Sequence, residues 1–242
     1  MAATRPSEGS AATSVSDTEV AARPAPRVKI CGITNLADAS LACELGAWAV
    51  GMIFYEGSAR RCSLASAREI CHALRRRVEL CGVFVNAPLD DIARAADELG
   101  LTLVQLHGEE GPSFCAEVAR RTGARVIKAA QVSTVGDVRA LERFHVDFHL
   151  LDARSRVPAR SGMRGGTGES FDWTLARTRR SRVPLILSGG LTADNVSEAI
   201  AVVEPWGLDT ASGTEQAPGH KDPDKLSAFF RAATPAQIGH GA

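Results

Sequence analysis

Val28-Lys29-Ile30-Cys31-Gly32-Ile33-Thr34-Asn35 is the stretch on which the reading of this chain turns. Alternating Val28 and Ile30 predict a strand, Gly32 ends it, and Asn35 is suited to cap a following helix. Cys31 then stands at the strand's C-terminal tip. In a barrel of parallel strands this is the end that carries the active site, and a thiol there can move a proton. The plain alternative is a buried small hydrophobe, since free cysteine is among the most buried residue types. A thiol pKa of about 8.5 leaves little thiolate at neutral pH, so a base role requires a tuned environment.

Outward from this strand, short apolar runs alternate with helical patterns. Strands are predicted over Val28–Cys31, Ala49–Phe54, Leu80–Val85, Leu103–Leu106, Val126–Ala129, Phe148–Leu151, Leu185–Leu187 and Gly207–Asp209. Helical periodicity fits Leu36–Leu45, Ser63–Arg77, Leu89–Leu99, Ser113–Arg121, Thr134–Phe144 and Ala193–Val203. Such alternation implies a parallel sheet with helical crossovers. Eight units in roughly 200 residues predict a single-domain (β/α)8 TIM barrel over residues 27–233. An open doubly wound sheet is the competing arrangement. No G-x-G-x-x-G follows the first strand, which removes the dinucleotide fingerprint.

Composition narrows the function. The 242 residues are 45% hydrophobic, enough for a sizeable core, and carry 28 basic and 28 acidic side chains. No basic excess argues for nucleic acid, and no apolar run is long enough to span a membrane. Cysteines at 31, 43, 62, 71, 81 and 115 include no C-x-x-C pair. They read as neither a disulfide framework nor a zinc site, so no metal is expected and a reducing cytoplasm fits best. Residues 1–26, rich in Ala, Ser, Thr and Pro, read as a disordered leader. A targeting segment is the alternative, against which Glu8, Asp17 and Glu19 count. Residues 234–242 read as an unstructured tail.

Chemically capable residues recur at the strand ends: Cys31, Arg60 after strand two, Asn86, Gln105 with His107, Lys128, Asp152 and Asp209. Parallel strands would bring them to one face, the main sign of an enzyme. Glycine turns follow the last two strands, Ser188-Gly189-Gly190-Leu191 and Ala211-Ser212-Gly213-Thr214. Glycine permits close backbone approach, and a helix start offers free N–H groups to an anion. At these two positions the turns point to a phosphorylated small molecule. Asp152 ends an apolar strand, where partial desolvation would suit it to general-acid work; a helix cap or a loop salt bridge with Arg154 or Arg156 is the other reading. Arg60 could grip a carboxylate or be a solvated surface arginine. Gln105 and His107 could be polar pocket walls.

The cysteine motif, Val104-Gln105-Leu106-His107-Gly108-Glu109, Gly165-Gly166-Thr167-Gly168 before Phe171-Asp172-Trp173, Leu187-Ser188-Gly189-Gly190-Leu191, and Asp209 with Ser212-Gly213 carry a resemblance. From about Arg27 to Phe230 the chain resembles phosphoribosylanthranilate isomerase of tryptophan biosynthesis. The resemblance implies a cofactor-free aldose–ketose isomerase performing the Amadori rearrangement of N-(5-phosphoribosyl)anthranilate to 1-(2-carboxyphenylamino)-1-deoxyribulose 5-phosphate. It makes Asp152 the general acid and Cys31 the general base. It gives Arg60 the anthranilate carboxylate, with Gly189, Gly190, Ser212 and Gly213 on the phosphate. Gln105, His107 and Asp209 line the substrate pocket. The protein would be a monomer or homodimer, without nucleic-acid or membrane partners.

The chain departs from the family pattern in Glu56–Cys62, where two adjacent arginines stand; Arg60 is preferred by its spacing to Ser63. Glu169 occupies a position where lysine is common, and Ala211 one where serine is. Other phosphate-binding barrels are the alternatives. A histidine-pathway isomerase would place aspartates after strands one and five, where Cys31 and Lys128–Ala129 stand. A non-catalytic paralogue binding a phosphorylated ligand would have no need of both Cys31 and Asp152.

Overall fold

A computed structural model describes residues 24–153 and 173–234. The expected leader falls outside these residues except for positions 24–26, as does the tail beyond Thr234, and so do Glu169 and the glycine run at 165–168. Eight parallel strands close into a barrel in sequential order: β1 (Arg27–Cys31), β2 (Ala49–Ile53), β3 (Glu79–Phe84), β4 (Leu103–Leu106), β5 (Arg125–Val132), β6 (Phe148–Ala153), β7 (Leu185–Ser188) and β8 (Gly207–Thr210). β1 pairs with β2 on one side and β8 on the other, which closes the ring.

Among the described residues, seven helices follow the first seven strands: α1 (Leu36–Glu44), α2 (Leu64–Leu74), α3 (Leu89–Leu99), α4 (Pro112–Thr122), α5 (Val135–Leu141), α6 (Thr174–Arg177) and α7 (Val196–Val203). Asn35 caps α1 as expected, its side chain accepting from the Asp38 N–H; a cap of this kind contributes about 1 kcal/mol. After β8 comes a single 3-10 turn, Ser212–Thr214, then a hairpin of β9 (Glu215–Ala217) and β10 (His220–Lys221). The closing helix is α8 (Pro223–Ala233), which buries Leu226, Phe229 and Ala233. The sequence reading did not anticipate the hairpin.

The two-residue period of the strands divides the core in two. Val28, Ile30, Met52, Leu106 and Leu187 point outward and pack under the helices. Cys31, Ala49, Cys81, Val83, Leu103, Ile127, Ala129, Leu150 and Ile186 fill the barrel. The N-terminal end is closed by Trp48, Phe148 and Trp206, whose ring centroids lie 4.7 to 5.3 Å apart. Above them the barrel interior becomes polar, and that change positions the site.

Candidate active site

A cavity of about 210 Å³ opens at the C-terminal mouth of the barrel. Cys31 from β1, Asp152 from β6 and Asp209 from β8 line it, as do Arg60, Gln105, His107, Gly189, Gly190 and Ser212. Nine of the ten expected site residues therefore share one space. Gly213 does not line it. A Cβ built on Gly213 would sit 2.0 Å from the Leu191 carbonyl oxygen, so this glycine lets the β8 turn pack against the β7 turn. Thr210 ties the same two turns together, its Oγ1 donating to Leu191 O at 2.8 Å.

Two residues expected at this mouth lie elsewhere. Ile127 and Ala129 face the barrel interior, so Lys128 between them faces outward. Its Nζ donates to Gly108 O at 2.6 Å and lies 2.7 Å from the buried Glu110 carboxylate. Asn86 supports the same loop, its Oδ1 accepting from the Glu109 N–H. Both residues line a neighbouring groove of about 430 Å³ that meets the mouth at His107. Lys128 is carried away from the mouth by its strand face, and Asn86 by the loop beyond β3 in which it stands.

Inside the mouth the polar groups form three sets. Gln105 Nε2 lies 3.3 Å from His107 Nδ1, and His107 Nε2 lies 3.4 Å from Asp152 Oδ2. The Asp152 side chain is 28% exposed, open enough to meet a ligand. In the second set, Lys29 Nζ donates to Asp209 Oδ1 at 2.7 Å and Ser188 Oγ donates to Asp209 Oδ2 at 3.0 Å. Asp209 thus has a partner on each oxygen. In the third, Arg60 Nε donates to both oxygens of Glu215 at 2.9 Å, and Lys221 Nζ lies 3.2 Å from Glu215 Oε1. Arg61 points away, 54% exposed and 3.3 Å from Glu56, so Arg60 is the arginine of the mouth.

Electrostatics follow from burial. Burial pushes the Cys31 thiol up, and the nearby Lys29 ammonium pulls it back. Burial disfavours the Lys29 charge, yet Asp209, with Cys31 and Cys81 beside it, outweighs this and favours the ammonium. Burial likewise opposes the Glu215 charge, but Arg60 and Lys221 keep its carboxyl below the ordinary range. Among the described residues no group of His, Cys, Asp or Glu converges to hold a metal ion.

Sequence reasoning missed Lys29, Glu215 and Lys221, and quoted Ser188 without giving it a role. Lys29 had a signal: it stands two residues before Cys31 in the same strand, hence on the same face. Glu215 and Lys221 had none, because the hairpin that carries them was not foreseen.

The barrel, with this cluster at its C-terminal mouth, defines the class as a (β/α)8-barrel enzyme. Residues 28–232 match the family model described as N-(5′-phosphoribosyl)anthranilate (PRA) isomerase. The N-(5′-phosphoribosyl)anthranilate isomerase of Pelobacter propionicus is 45% identical over 207 residues, covering 86% of this chain and 95% of its own length. The crystal structure of phosphoribosyl anthranilate isomerase from Thermotoga maritima is 43% identical, with a TM-score of 0.75 over 86% of this chain and 98% of that one. A phosphoribosyl anthranilate isomerase solved in complex with reduced 1-(o-carboxyphenylamino)-1-deoxyribulose 5-phosphate is 41% identical, with a TM-score of 0.72 over 86% of this chain and 98% of that one. The chain belongs to the N-(5′-phosphoribosyl)anthranilate isomerase family.

Proposed function

We propose that Asp152 and Cys31 are the acid and base with which this chain isomerises N-(5′-phosphoribosyl)anthranilate in tryptophan biosynthesis. The observation that carries the reading is their placement: a carboxyl from β6 and a thiol from β1 face one cavity from well-separated strands of the ring. An Amadori rearrangement needs this pair. Asp152 gives a proton to the furanose ring oxygen, the C1–O bond breaks, and a Schiff base forms. Cys31 takes the C2 proton, giving an enolamine that tautomerises to the ketose. Each such group commonly contributes about 10²–10⁴-fold in rate.

The remaining residues bind and orient. His107 stands between Gln105 and Asp152, 3.3 Å from the Gln105 amide nitrogen and 3.4 Å from the Asp152 carboxyl. Arg60 meets the anthranilate carboxylate with the N–H groups Glu215 leaves free. Gly189 and Gly190 have positive φ of 99° and 66°, a backbone that glycine adopts without strain and that leaves the turn open to phosphate. Ser212 and Gly213 supply the facing turn. Asp209 serves the pocket through Lys29 and Ser188. No helix among the described residues is long and apolar enough to cross a membrane. The six cysteines are free thiols, which suits a reducing cytoplasm. The chain acts as a monomer or a homodimer.

The test is a fluorescence assay with phosphoribosylanthranilate generated in situ. The wild-type chain is expected to consume it, and Asp152→Asn to stop consumption while the fold is retained. Comparable turnover by Asp152→Asn would overturn the acid assignment.

A further inference from the structure

Cys31 is buried, and burial works against the thiolate that a base must become. Something in the barrel has to offset this. The groups facing Cys31 are Lys29 on its own strand, Asp209 on β8, Cys81 on β3 and Lys221 on β10. Arg60, His107 and Asp152 share the cavity with it. Both lysines are buried and paired, Lys221 with Glu215 and the Ala211 carbonyl and Lys29 with Asp209, but Lys29 alone stands two residues from Cys31 on the same face of β1.

Gly51 shows how closely Lys29 approaches the thiol. It pairs with Cys31 across the β1–β2 ladder. A Cβ built on Gly51 would lie 3.0 Å from Cys31 Sγ and 3.0 Å from Lys29 Nζ, which bounds the separation of those two atoms at twice that distance. A methyl group there would press on both the ammonium and the thiol. Asp209 holds the ammonium at 2.7 Å and is itself held by the Ser188 hydroxyl at 3.0 Å.

We propose that Lys29 is the positioning residue for Cys31: its buried ammonium, anchored by Asp209 and Ser188 and given clearance by Gly51, stabilises the Cys31 thiolate. The proposal rests on Cys31 being the base. The proton leaves for solvent through the open mouth; Lys29 stays protonated and acts by its charge alone. Asp209 has two effects of opposite use. It keeps Lys29 in place, and it competes with the thiolate for the ammonium.

That competition gives a signed test. The pH dependence of iodoacetamide alkylation is followed for each full-length chain and for its Cys31→Ser counterpart, and the difference reports Cys31. Circular dichroism confirms folding. Lys29→Met is expected to raise the midpoint by about one unit or more, the effect of removing a near opposite charge. Asp209→Asn is expected to lower it, because the carboxylate charge that opposes the thiolate is gone. Gly51→Ala, which crowds the contact, is expected to raise it. Should Lys29→Met fail to fold, Asp209→Asn and Gly51→Ala decide the matter by moving in opposite directions. Shifts of one sign in every variant, or none, would make Lys29 a packing residue and overturn the proposal. Full turnover by Cys31→Ala would instead sink the base assignment, whatever the midpoints do.

Discussion

The guanidinium of Arg60 is clamped by the carboxylate of Glu215, with Nε 2.9 Å from both oxygens and Nη2 2.7 Å from Oε2. The clamp orders a long, flexible side chain before any ligand arrives, and ordering in advance lowers the cost of binding. Glu215→Gln is therefore expected to raise the apparent KM by about tenfold, roughly 1.4 kcal/mol, with a smaller effect on kcat. Arg60→Ala should raise KM further, and Arg61→Ala should do little. Steady-state kinetics on the three variants check this; a damaging Arg61→Ala would mean that the wrong arginine has been assigned to the carboxylate.

Cys31→Ala removes one sulfur from a packed interior and, on the proposed mechanism, the base. Turnover is expected to fall by about 10²–10⁴-fold, with far-ultraviolet circular dichroism unchanged. Near-normal turnover in a folded variant would rule out Cys31 as the base.

Gly213→Ala tests the joint between the two glycine turns. Its Cβ would meet the backbone oxygen of Leu191 at 2.0 Å, and backbone cannot swing aside as a flexible side chain does. Overpacking of this kind costs about 1–3 kcal/mol. The expected result is a lower Tm together with weaker affinity for inorganic phosphate. Ser212→Ala, which adds no atoms, should leave Tm nearly unchanged. Equal melting temperatures for Gly213→Ala and wild type would show that the turns can separate freely.

The Lys128–Glu110 pair predicts both a stability change and its pH dependence. Both side chains are buried, 5% and 3% exposed, so Lys128→Met leaves an uncompensated carboxylate and is expected to cost about 3–5 kcal/mol. Burial pushes the Glu110 carboxyl up, but the Lys128 ammonium and the Asn86 and Gly108 N–H groups outweigh it and hold it below its ordinary 4.5. A depressed carboxyl contributes stability that is present above the unfolded value and lost as pH falls through the folded one. Thermal melting should therefore lose this contribution in the acid range below 4.5, and the loss should be smaller in Lys128→Met. Parallel melting curves for the two chains across that range would contradict the coupling.

Much of the barrel was legible because its signals are local. Leu103–Leu106 and Leu89–Leu99 were read to the residue: apolar runs bounded by turn residues fix short strands, and helical periodicity fixes helices. The ends of β5 and β6 were read short, since strand pairing carries them past the apolar run to Val132 and Ala153. Lys128 was assigned to the wrong side because its position along the strand was used and its face was not.

Sequence alone determined the alternation of strands and helices, the cysteine at the tip of β1 and the glycine turns after β7 and β8. Each is written in residues a few positions apart, where backbone preference and periodicity act. What only the tertiary structure decided is which charges meet. Lys29 finds Asp209 across 180 positions of chain, and Arg60 finds Glu215 across 155. Those meetings exist because β1 hydrogen-bonds to β8 and closes the ring, and because the hairpin after β8 packs against Thr34 and Arg60. A buried charge takes its partner from whatever closure brings within a few ångströms, so local pattern cannot name it.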